Sequence, residues 1–252
     1  MSKVSKLFDS RSKEYDQIYG DSKKLLHKEK RVRAAIVEDM VPNYLSSNAE
    51  GVLIDVGCGM GNVILHIKEK GVKAKMYGYD ISQEMINLAN KKLDLTPYKD
   101  INFRVGSPDN IKEKADVVLS LGVTGYQEKQ EEFLASLAKL VSKQGYLIFT
   151  TGNGDSFSRK ARRYLSKLDS LIKRKIKRSG VVFHPIKNKQ VENVLNSHGF
   201  KLKKRVYITF GLGLFTSSIE FSIDRFFLKY FSNSFIGKYF SLSVIYVYNK
   251  IN

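Results

Sequence analysis

Residues 52–61 read Val-Leu-Ile-Asp-Val-Gly-Cys-Gly-Met-Gly, an apolar run that passes directly into a loop with glycine at every second position. Short apolar runs rich in β-branched residues are typical of strands that are buried on both faces of a parallel sheet. Glycine at Gly57, Gly59 and Gly61 lets the backbone turn tightly and lets a ligand approach without an obstructing Cβ. This stretch therefore predicts a buried strand, a ligand-binding turn and the start of a helix.

The sequence downstream repeats this alternation of strand and helix. Further runs of strand character lie at 75–80, 102–105, 115–120 and 145–150, and helical spacing of apolar residues lies at 62–70, 83–93 and 127–141. Two later strands, 202–210 and 242–248, flank an aromatic-rich insert and are predicted to pair as the antiparallel edge of the sheet. The order predicts an α/β fold with a doubly wound, Rossmann-like, mostly parallel seven-stranded sheet and an antiparallel edge strand.

The composition limits the class of protein. With 252 residues and 42% hydrophobic content, the chain is long and apolar enough to bury a core, which excludes disorder as its main state. No stretch has the length of a membrane span, and the N-terminal residues lack the apolar run of a signal peptide. The single cysteine, Cys58, fits a reducing compartment, so we expect a cytoplasmic protein.

An acidic residue stands where a bound ribose would need one. Asp80 ends the second predicted strand, nineteen positions after Gly61. In an open parallel sheet the ligand lies outside the carboxyl ends of the strands, where a carboxylate can accept hydrogen bonds from both ribose hydroxyls. The loop does not fit a nicotinamide site, because the third glycine of that fingerprint would fall at position 62, which is Asn62.

Two motifs resemble those of a known enzyme family. The run Asp-Val-Gly-Cys-Gly-Met-Gly at 55–61 resembles motif I of the class I S-adenosylmethionine-dependent methyltransferases, and Gly-Tyr-Asp-Ile-Ser-Gln-Glu-Met at 78–85 resembles their motif II. The resemblance extends from about residue 8 to about residue 200 and implies S-adenosylmethionine as cofactor. It implies that Gly57 and Gly59 line the methionine portion, that Asp80 holds the ribose and that Ile81 and Met85 pack on the adenine. Within motif I it also places Asp55 and Gly61 at the cofactor site.

The N-terminal residues resemble the small-molecule branch of this family. There, a helix with paired tyrosines closes over the site, which implies a cofactor contact for Tyr15 and Tyr19. Ordinary packing of an amphipathic helix explains the same spacing. After the third strand the chain departs from the branch, which often has an acidic residue next to the glycine: here Ser107 follows Gly106, so either Ser107 or Asp109 is expected to meet the adenine amine.

Catalytic candidates follow the fourth strand and the lid. Methyl transfer from a sulfonium requires an in-line acceptor, a dry pocket and, for a hydroxyl acceptor, a place for the proton. Tyr126 follows strand four, and His184 lies in the loop that returns the lid to the core, so we predict His184 as general base and Tyr126 as the next candidate. A structural role for His184 is the alternative. We assign no metal ligands.

We predict one methyltransferase domain over 1–252. Its parts are an N-terminal helical cover at 1–48, a cofactor-binding core at 49–152, a basic helical lid at 153–188, and a C-terminal helix and edge strands with the aromatic insert at 189–252. The formal net charge of +18 favours an anionic partner, and the helical candidate at 156–179 carries ten basic residues interrupted by one acid. Peripheral contact with an anionic membrane and a solvated outer face both explain this basic helix.

Three functions remain open. The first is methyl transfer to an O or N atom of a small or lipid-linked metabolite. The second is an RNA-directed methyltransferase, which the charge favours but which lacks a visible RNA-binding module, so nucleic acid is the weaker partner assignment. The third is a catalytically silent, cofactor-binding subunit that stabilises a partner, because fold and cofactor do not establish chemistry.

Overall fold

The computed structural model of the chain describes residues 4–10, 25–45, 51–161, 183–210 and 217–251. Seven strands of this part form one sheet. They are β1 Gly51–Val56, β2 Ala74–Asp80, β3 Ile101–Val105, β4 Ala115–Ser120, β5 Val141–Gly152, β6 Phe200–Ile208 and β7 Ser243–Lys250.

The strand order is β3-β2-β1-β4-β5-β7-β6. Strands β1 to β5 are parallel, and β1 pairs with β2 on one side and β4 on the other, so the direction of winding reverses between β1 and β4. β7 is antiparallel to both of its neighbours, β5 and β6, which leaves β6 at the edge of an antiparallel pair. The predicted doubly wound, seven-stranded fold is confirmed.

Helices cover both faces of this sheet. They are α1 at 4–10, α2 Leu25–Met40, α3 Asn62–Glu69, α4 Gln83–Leu93, α5 Gln130–Leu140, α6 from 157 through 161, α7 Asn188–Ser197, α8 Ser217–Phe231 and α9 Phe235–Phe240. The helices predicted at 62–70, 83–93 and 127–141 correspond to α3, α4 and α5. The rest of the predicted lid helix, after residue 161, lies outside the described residues. None of the helices in the described part of the chain is both long and apolar enough to span a bilayer.

Two hydrophobic clusters hold the helices on the sheet. On one face, Leu53 and Ile148 pack with residues of α2, α3 and α4. On the other, Ile54 and Phe149 pack with residues of α5 and α7. Neighbouring residues of β1 and β5 point to opposite faces, as alternation along a strand requires, and all four are fully buried. A core on both faces fixes the sheet rigidly and so fixes the loops at the carboxyl ends of its strands.

Candidate active site

The glycine loop after β1 has the geometry that its sequence predicts. Gly57, Gly59 and Gly61 have φ angles of +80°, +54° and +74°, a region that other residues rarely adopt. A Cβ at Gly57 would lie 2.1 Å from Cγ2 of Val123. At Gly59, no atom lies within 4 Å of the Cβ position. The loop therefore leaves an open space above Gly59 that a side chain would fill.

Asp80 stands at the carboxyl end of β2 beside this loop. Its Oδ2 accepts a hydrogen bond of 2.9 Å from the backbone N–H of Gly59, and its Oδ1 accepts one of 2.9 Å from the N–H of Ser82. Burial raises the pKa of Asp80, and the hydrogen bonds from Ser82 and Gly59 oppose this rise. The carboxylate is thus fixed in orientation, with lone pairs left for a ligand.

The residues after Asp80 form an apolar wall. Ile81 is partly exposed, Met85 is buried, and both line the same cavity as Asp80. Ser82 caps helix α4, because its Oγ accepts a hydrogen bond of 3.2 Å from the N–H of Met85. From α1, the Oγ of Ser5 donates to the carbonyl oxygen of Ile81 at 3.1 Å. Helix α1 therefore contacts motif II.

Asp55 lies in β1, beneath the glycine loop. It is 2% exposed, and its Oδ1 has no hydrogen-bond partner among the described residues. Burial and, to a smaller degree, the charge of Asp80 raise the pKa of Asp55 to about 7. A carboxyl group in this state holds its proton at slightly acidic pH and loses it at slightly basic pH.

We expect Asp55 to make the stability of the ligand-free protein depend on pH. Because its folded pKa of about 7 exceeds the unfolded value of 3.8, its stabilising contribution is complete below the unfolded pKa and is lost as pH rises through the folded pKa. Between about pH 5 and about pH 8, the free energy of unfolding of Asp55→Asn should rise relative to wild type by roughly 2 to 3 kcal/mol. Urea unfolding at both pH values measures this, with the exposed Asp94→Asn as control. Parallel curves for Asp55→Asn and wild type would contradict it.

The cavity at the carboxyl ends of the strands has a volume of about 420 Å³, within the usual range for small-molecule sites. The glycine loop, Asp80 and Met85 line one part of it, which we call the glycine end. Three aromatic rings line another part, which we call the aromatic end: the ring of Tyr126 packs edge-on against Phe8 at 5.4 Å and against Phe183 at 5.5 Å between centroids.

Three cationic side chains also line this cavity, namely Lys30, Arg33 and Arg159. The Nη1 of Arg33 lies 2.9 Å from the place that a Cβ on Gly122 would take, so this guanidinium sits at the carboxyl end of β4. Its buried Nε has no hydrogen-bond partner among the described residues. Among the described lining residues, Asp80 is the only acidic side chain.

Arg159 is held at the aromatic end of the cavity. Its guanidinium carbon lies 5.5 Å from the centroid of the Phe183 ring, and its Nη2 donates to the carbonyl oxygen of Leu242. Phe183 itself packs closely on Gly125, since a Cβ there would lie 2.1 Å from the Phe183 ring. Arginine on an aromatic face is a stable arrangement.

The side chains of three other candidate residues, His184, Ser107 and Asp109, are not among those that line the cavity. The backbone N–H of His184 donates to the carbonyl oxygen of Gly125 at 2.7 Å, but its side chain is not among those that line the cavity. Gly106 and Pro108 line the cavity, and Ser107 between them does not. Asp109 is exposed and accepts a hydrogen bond of 2.6 Å from Ser136. Neither of the two alternatives for the adenine amine, Ser107 or Asp109, is therefore among the residues that line the cavity.

The two predicted tyrosines, Tyr15 and Tyr19, lie outside the described residues. In the described part, no group of three or more histidine, cysteine or acidic side chains comes together as a metal site. The sequence-based prediction missed Arg33, Arg159 and Phe183 as site residues. Arg159 carried a weak signal, because it belongs to the basic run that was predicted as lid.

A family model described as a methyltransferase domain matches residues 47–199, which is more than half of the chain. The chain belongs to this methyltransferase family. Its fold is that of class I, and its cofactor is S-adenosylmethionine. The matched region contains both motifs, the glycine loop and Asp80.

Named relatives include two O-methyltransferases. Malonyl-[acyl-carrier protein] O-methyltransferase of Priestia megaterium is 25% identical over 154 residues, which are 60% of this chain and 52% of that protein. Ubiquinone biosynthesis O-methyltransferase of Maricaulis maris is 30% identical over 146 residues, 54% of this chain and 56% of that protein. The matching region thus spans about half the length of these curated relatives.

A solved structure covers nearly the whole chain. The magnesium protoporphyrin IX methyltransferase of Synechocystis, with bound SAH, is 20% identical and has a TM-score of 0.69 over 98% of both chains. At this identity the likeness shows the fold alone. It includes the strands after residue 199, beyond the region that the family model matches.

The residues of this site fit S-adenosylmethionine. The open space above Gly59 accepts backbone-close atoms of a ligand, and Asp80 offers a buried acceptor for hydroxyl groups beside it. Ile81 and Met85 add an apolar wall of the kind that an adenine ring requires.

Proposed function

We propose that this methyltransferase transfers a methyl group to a carboxylate oxygen of a small molecule with an apolar body. The observation that supports this most directly is the position of Arg159, at the aromatic end of a cavity whose other end fits the cofactor. A guanidinium pairs with a carboxylate through two parallel hydrogen bonds, and the surrounding rings favour an apolar body. Loss of water from such a pocket strengthens the pairing.

The glycine end is assigned to the cofactor. In our proposal Gly57, Gly59 and Gly61 border its methionine portion, Asp80 accepts from the ribose hydroxyls, and Ile81 and Met85 contact the adenine. Arg33 is assigned to the methionine carboxylate, because its guanidinium lies at Gly122, next to Val123, which in turn packs on Gly57. Asp55 supports the loop from below. Ser107 lies beside this end through its neighbours Gly106 and Pro108.

The aromatic end is assigned to the acceptor. Tyr126, Phe8 and Phe183 form its walls, and Arg159 fixes the acceptor carboxylate. Tyr126 also carries a hydroxyl group, so it is our candidate for a direct contact with the acceptor. His184 is the weaker candidate, since its side chain does not line the cavity.

The chemistry of a carboxylate acceptor matches these residues. When bound, S-adenosylmethionine supplies an electrophilic methyl group: an oxygen lone pair forms the new O–C bond, while the C–S pair stays on sulfur as a neutral thioether. A carboxylate is already deprotonated at neutral pH, so no proton leaves and no general base is needed. No histidine side chain is among the described residues that line the cavity. Positioning and exclusion of water then supply the catalysis.

The test of this proposal is a two-part experiment. Calorimetry first measures the affinity for S-adenosylmethionine. Formation of S-adenosylhomocysteine is then followed with a malonyl thioester, a straight-chain fatty acid, an aromatic carboxylate and, as hydroxyl acceptor, a catechol. We expect turnover with a carboxylate and none with its methyl ester. Binding without turnover of any acceptor would favour a silent subunit, and turnover of the catechol alone would overturn the choice of acceptor group.

The pH dependence of the rate gives an independent prediction. With a carboxylate acceptor, kcat should be nearly constant from about pH 6 to about pH 9, because the acceptor is ionised throughout this range. His184→Ala should retain this profile and most of the rate. An acid limb in the wild-type profile that disappears in His184→Ala would contradict the proposal and identify His184 as the base.

A further inference from the structure

Helices α8 and α9 expose large aromatic side chains to solvent. Phe235 is 76% exposed and Tyr230 is 57% exposed, although buried positions are usual for residues of this size. We call the following exposed set the aromatic surface: Phe157 of α6, Phe226 and Tyr230 of α8, and Phe235, Ile236 and Phe240 of α9. Exposed apolar groups of this size mark sites of interaction.

Helix α8 is firmly attached to the domain by its other side. Phe227 stacks on Phe210 at 5.3 Å between ring centroids, and Leu228 packs against the core cluster that contains β1 and α3. Phe226 and Tyr230, four residues apart, share a helix face, and their ring centroids lie 5.0 Å from each other. Helix α8 therefore has one face that packs on the core and a second, exposed face that carries aromatic residues.

Helix α9 continues the aromatic surface and lies next to the cavity. Tyr239 stacks on Phe157 at 5.3 Å and lies 4.6 Å from Phe235. The side-chain Nδ2 of Asn153, which follows β5, donates to the backbone carbonyl oxygens of Lys238 and Ser241 at 2.7 and 3.1 Å. Leu242 and Ser243, which join the end of α9 to β7, line the cavity.

Lysines accompany these rings. The Nζ atoms of Lys160, Lys229 and Lys238 lie 5.4, 5.1 and 5.2 Å from the ring centroids of Phe157, Tyr230 and Tyr239. From Arg225 to Phe240 the sequence contains no acidic residue. Aromatic rings interleaved with lysine and free of acids match the boundary between headgroups and acyl chains of an anionic bilayer.

We propose that the aromatic surface docks on the surface of an anionic lipid bilayer, with its rings in the headgroup region and its lysines on lipid phosphates. The charge complementarity selects this partner, since a neutral apolar partner would gain nothing from the lysines. The docked orientation brings the end of α9, and with it the cavity, close to the bilayer. Binding to lipid does not depend on which acceptor the enzyme methylates.

The test uses co-sedimentation with vesicles of phosphatidylcholine alone and of phosphatidylcholine mixed with phosphatidylglycerol. The full chain should bind the anionic vesicles and release them at high salt. The double variant Lys229→Gln with Lys238→Gln should lower the partition coefficient by roughly twenty-fivefold, at about fivefold for each charge. Phe226→Ser with Phe235→Ser should lower it by at least about tenfold. The controls are Lys143→Gln and Leu95→Ser, the latter at an apolar residue that is 88% exposed elsewhere.

A fluorescence experiment separates insertion of the rings from simple electrostatic adsorption. The chain contains no tryptophan, so Phe235→Trp introduces a single reporter. Its emission should shift to the blue on addition of anionic vesicles, and that of Leu95→Trp should not. Unchanged affinity for S-adenosylmethionine establishes that each variant is folded. Absence of vesicle binding by the folded wild type, equal binding by the aromatic double variant, or displacement of vesicles by RNA would each overturn the proposal.

Discussion

Replacement of Asp80 by alanine is expected to weaken the binding of S-adenosylmethionine by about a hundredfold to ten-thousandfold. Hydrogen bonds to a charged group are worth roughly 1.5 to 3 kcal/mol each, and the ribose offers two hydroxyls to this carboxylate. The same side chain accepts a hydrogen bond from the N–H of Gly59, so its loss also removes a contact that holds the glycine loop in its cofactor-binding conformation. Isothermal titration calorimetry on the wild type and the variant measures the difference.

Two further variants make this result specific. Asp80→Asn keeps an oxygen acceptor but loses the charge, so its affinity should lie between those of the wild type and of Asp80→Ala. Asp94→Ala removes an exposed acid at the end of α4 and should bind as the wild type does. Equal affinities of wild type and a folded Asp80→Ala protein would contradict the assignment of Asp80 to the ribose.

The cofactor end of the site was predictable because its determinants are local in sequence. The three glycines at 57–61 indicate a loop that needs positive φ angles, and the structure has positive φ at all three. Helix α4 begins and ends where its apolar spacing predicts, at Gln83 and Leu93, with Ser82 as its cap. In a parallel sheet, the carboxyl ends of the strands lie at the same edge. The position of Asp80 beside the glycine loop is therefore predicted by the alternation of strands and helices alone.

Three of the site residues could not be predicted, because they come from segments that are distant in sequence. Arg33, Arg159 and Phe183 lie on α2, on α6 and in the loop before α7, and only the fold brings them to one cavity. In the sequence both arginines are members of lysine-rich and arginine-rich runs, which composition assigns to solvent. Nothing local distinguishes an arginine that faces a cavity from its neighbours.

Asp109 illustrates the same limit. Its sequence position just after β3 is compatible with a cofactor contact, yet the short helical turn at Pro108–Asn110 directs its carboxylate toward Ser136 on α5. The direction of a side chain in a turn depends on the turn geometry and on the element that packs beside it. Pattern alone does not contain that information.

Replacement of Arg159 by methionine is expected to reduce kcat/KM for the best carboxylate acceptor by about a hundredfold and to leave the affinity for S-adenosylmethionine unchanged. Removing one partner of a desolvated, hydrogen-bonded charge pair costs roughly 2 to 5 kcal/mol, because the remaining carboxylate must be buried without its cation. Methionine preserves an apolar stem against Phe183, so the aromatic wall should remain in place. Steady-state kinetics together with calorimetry measure both quantities on the same protein.

Substitutions of Arg33 and Arg159 should affect different steps, cofactor binding for Arg33 and use of the acceptor for Arg159. Arg33→Met is expected to weaken cofactor binding and to affect the KM of the acceptor little, since its guanidinium lies at Gly122, beside the glycine loop. Arg159→Lys restores the charge without the planar fork and should recover part of kcat/KM. Lys160→Met removes the adjacent exposed cation and is the control for a general loss of positive charge. If Arg159→Met and Lys160→Met reduce turnover equally, the acceptor is attracted by the field of the whole surface, and Arg159 does not hold its carboxylate.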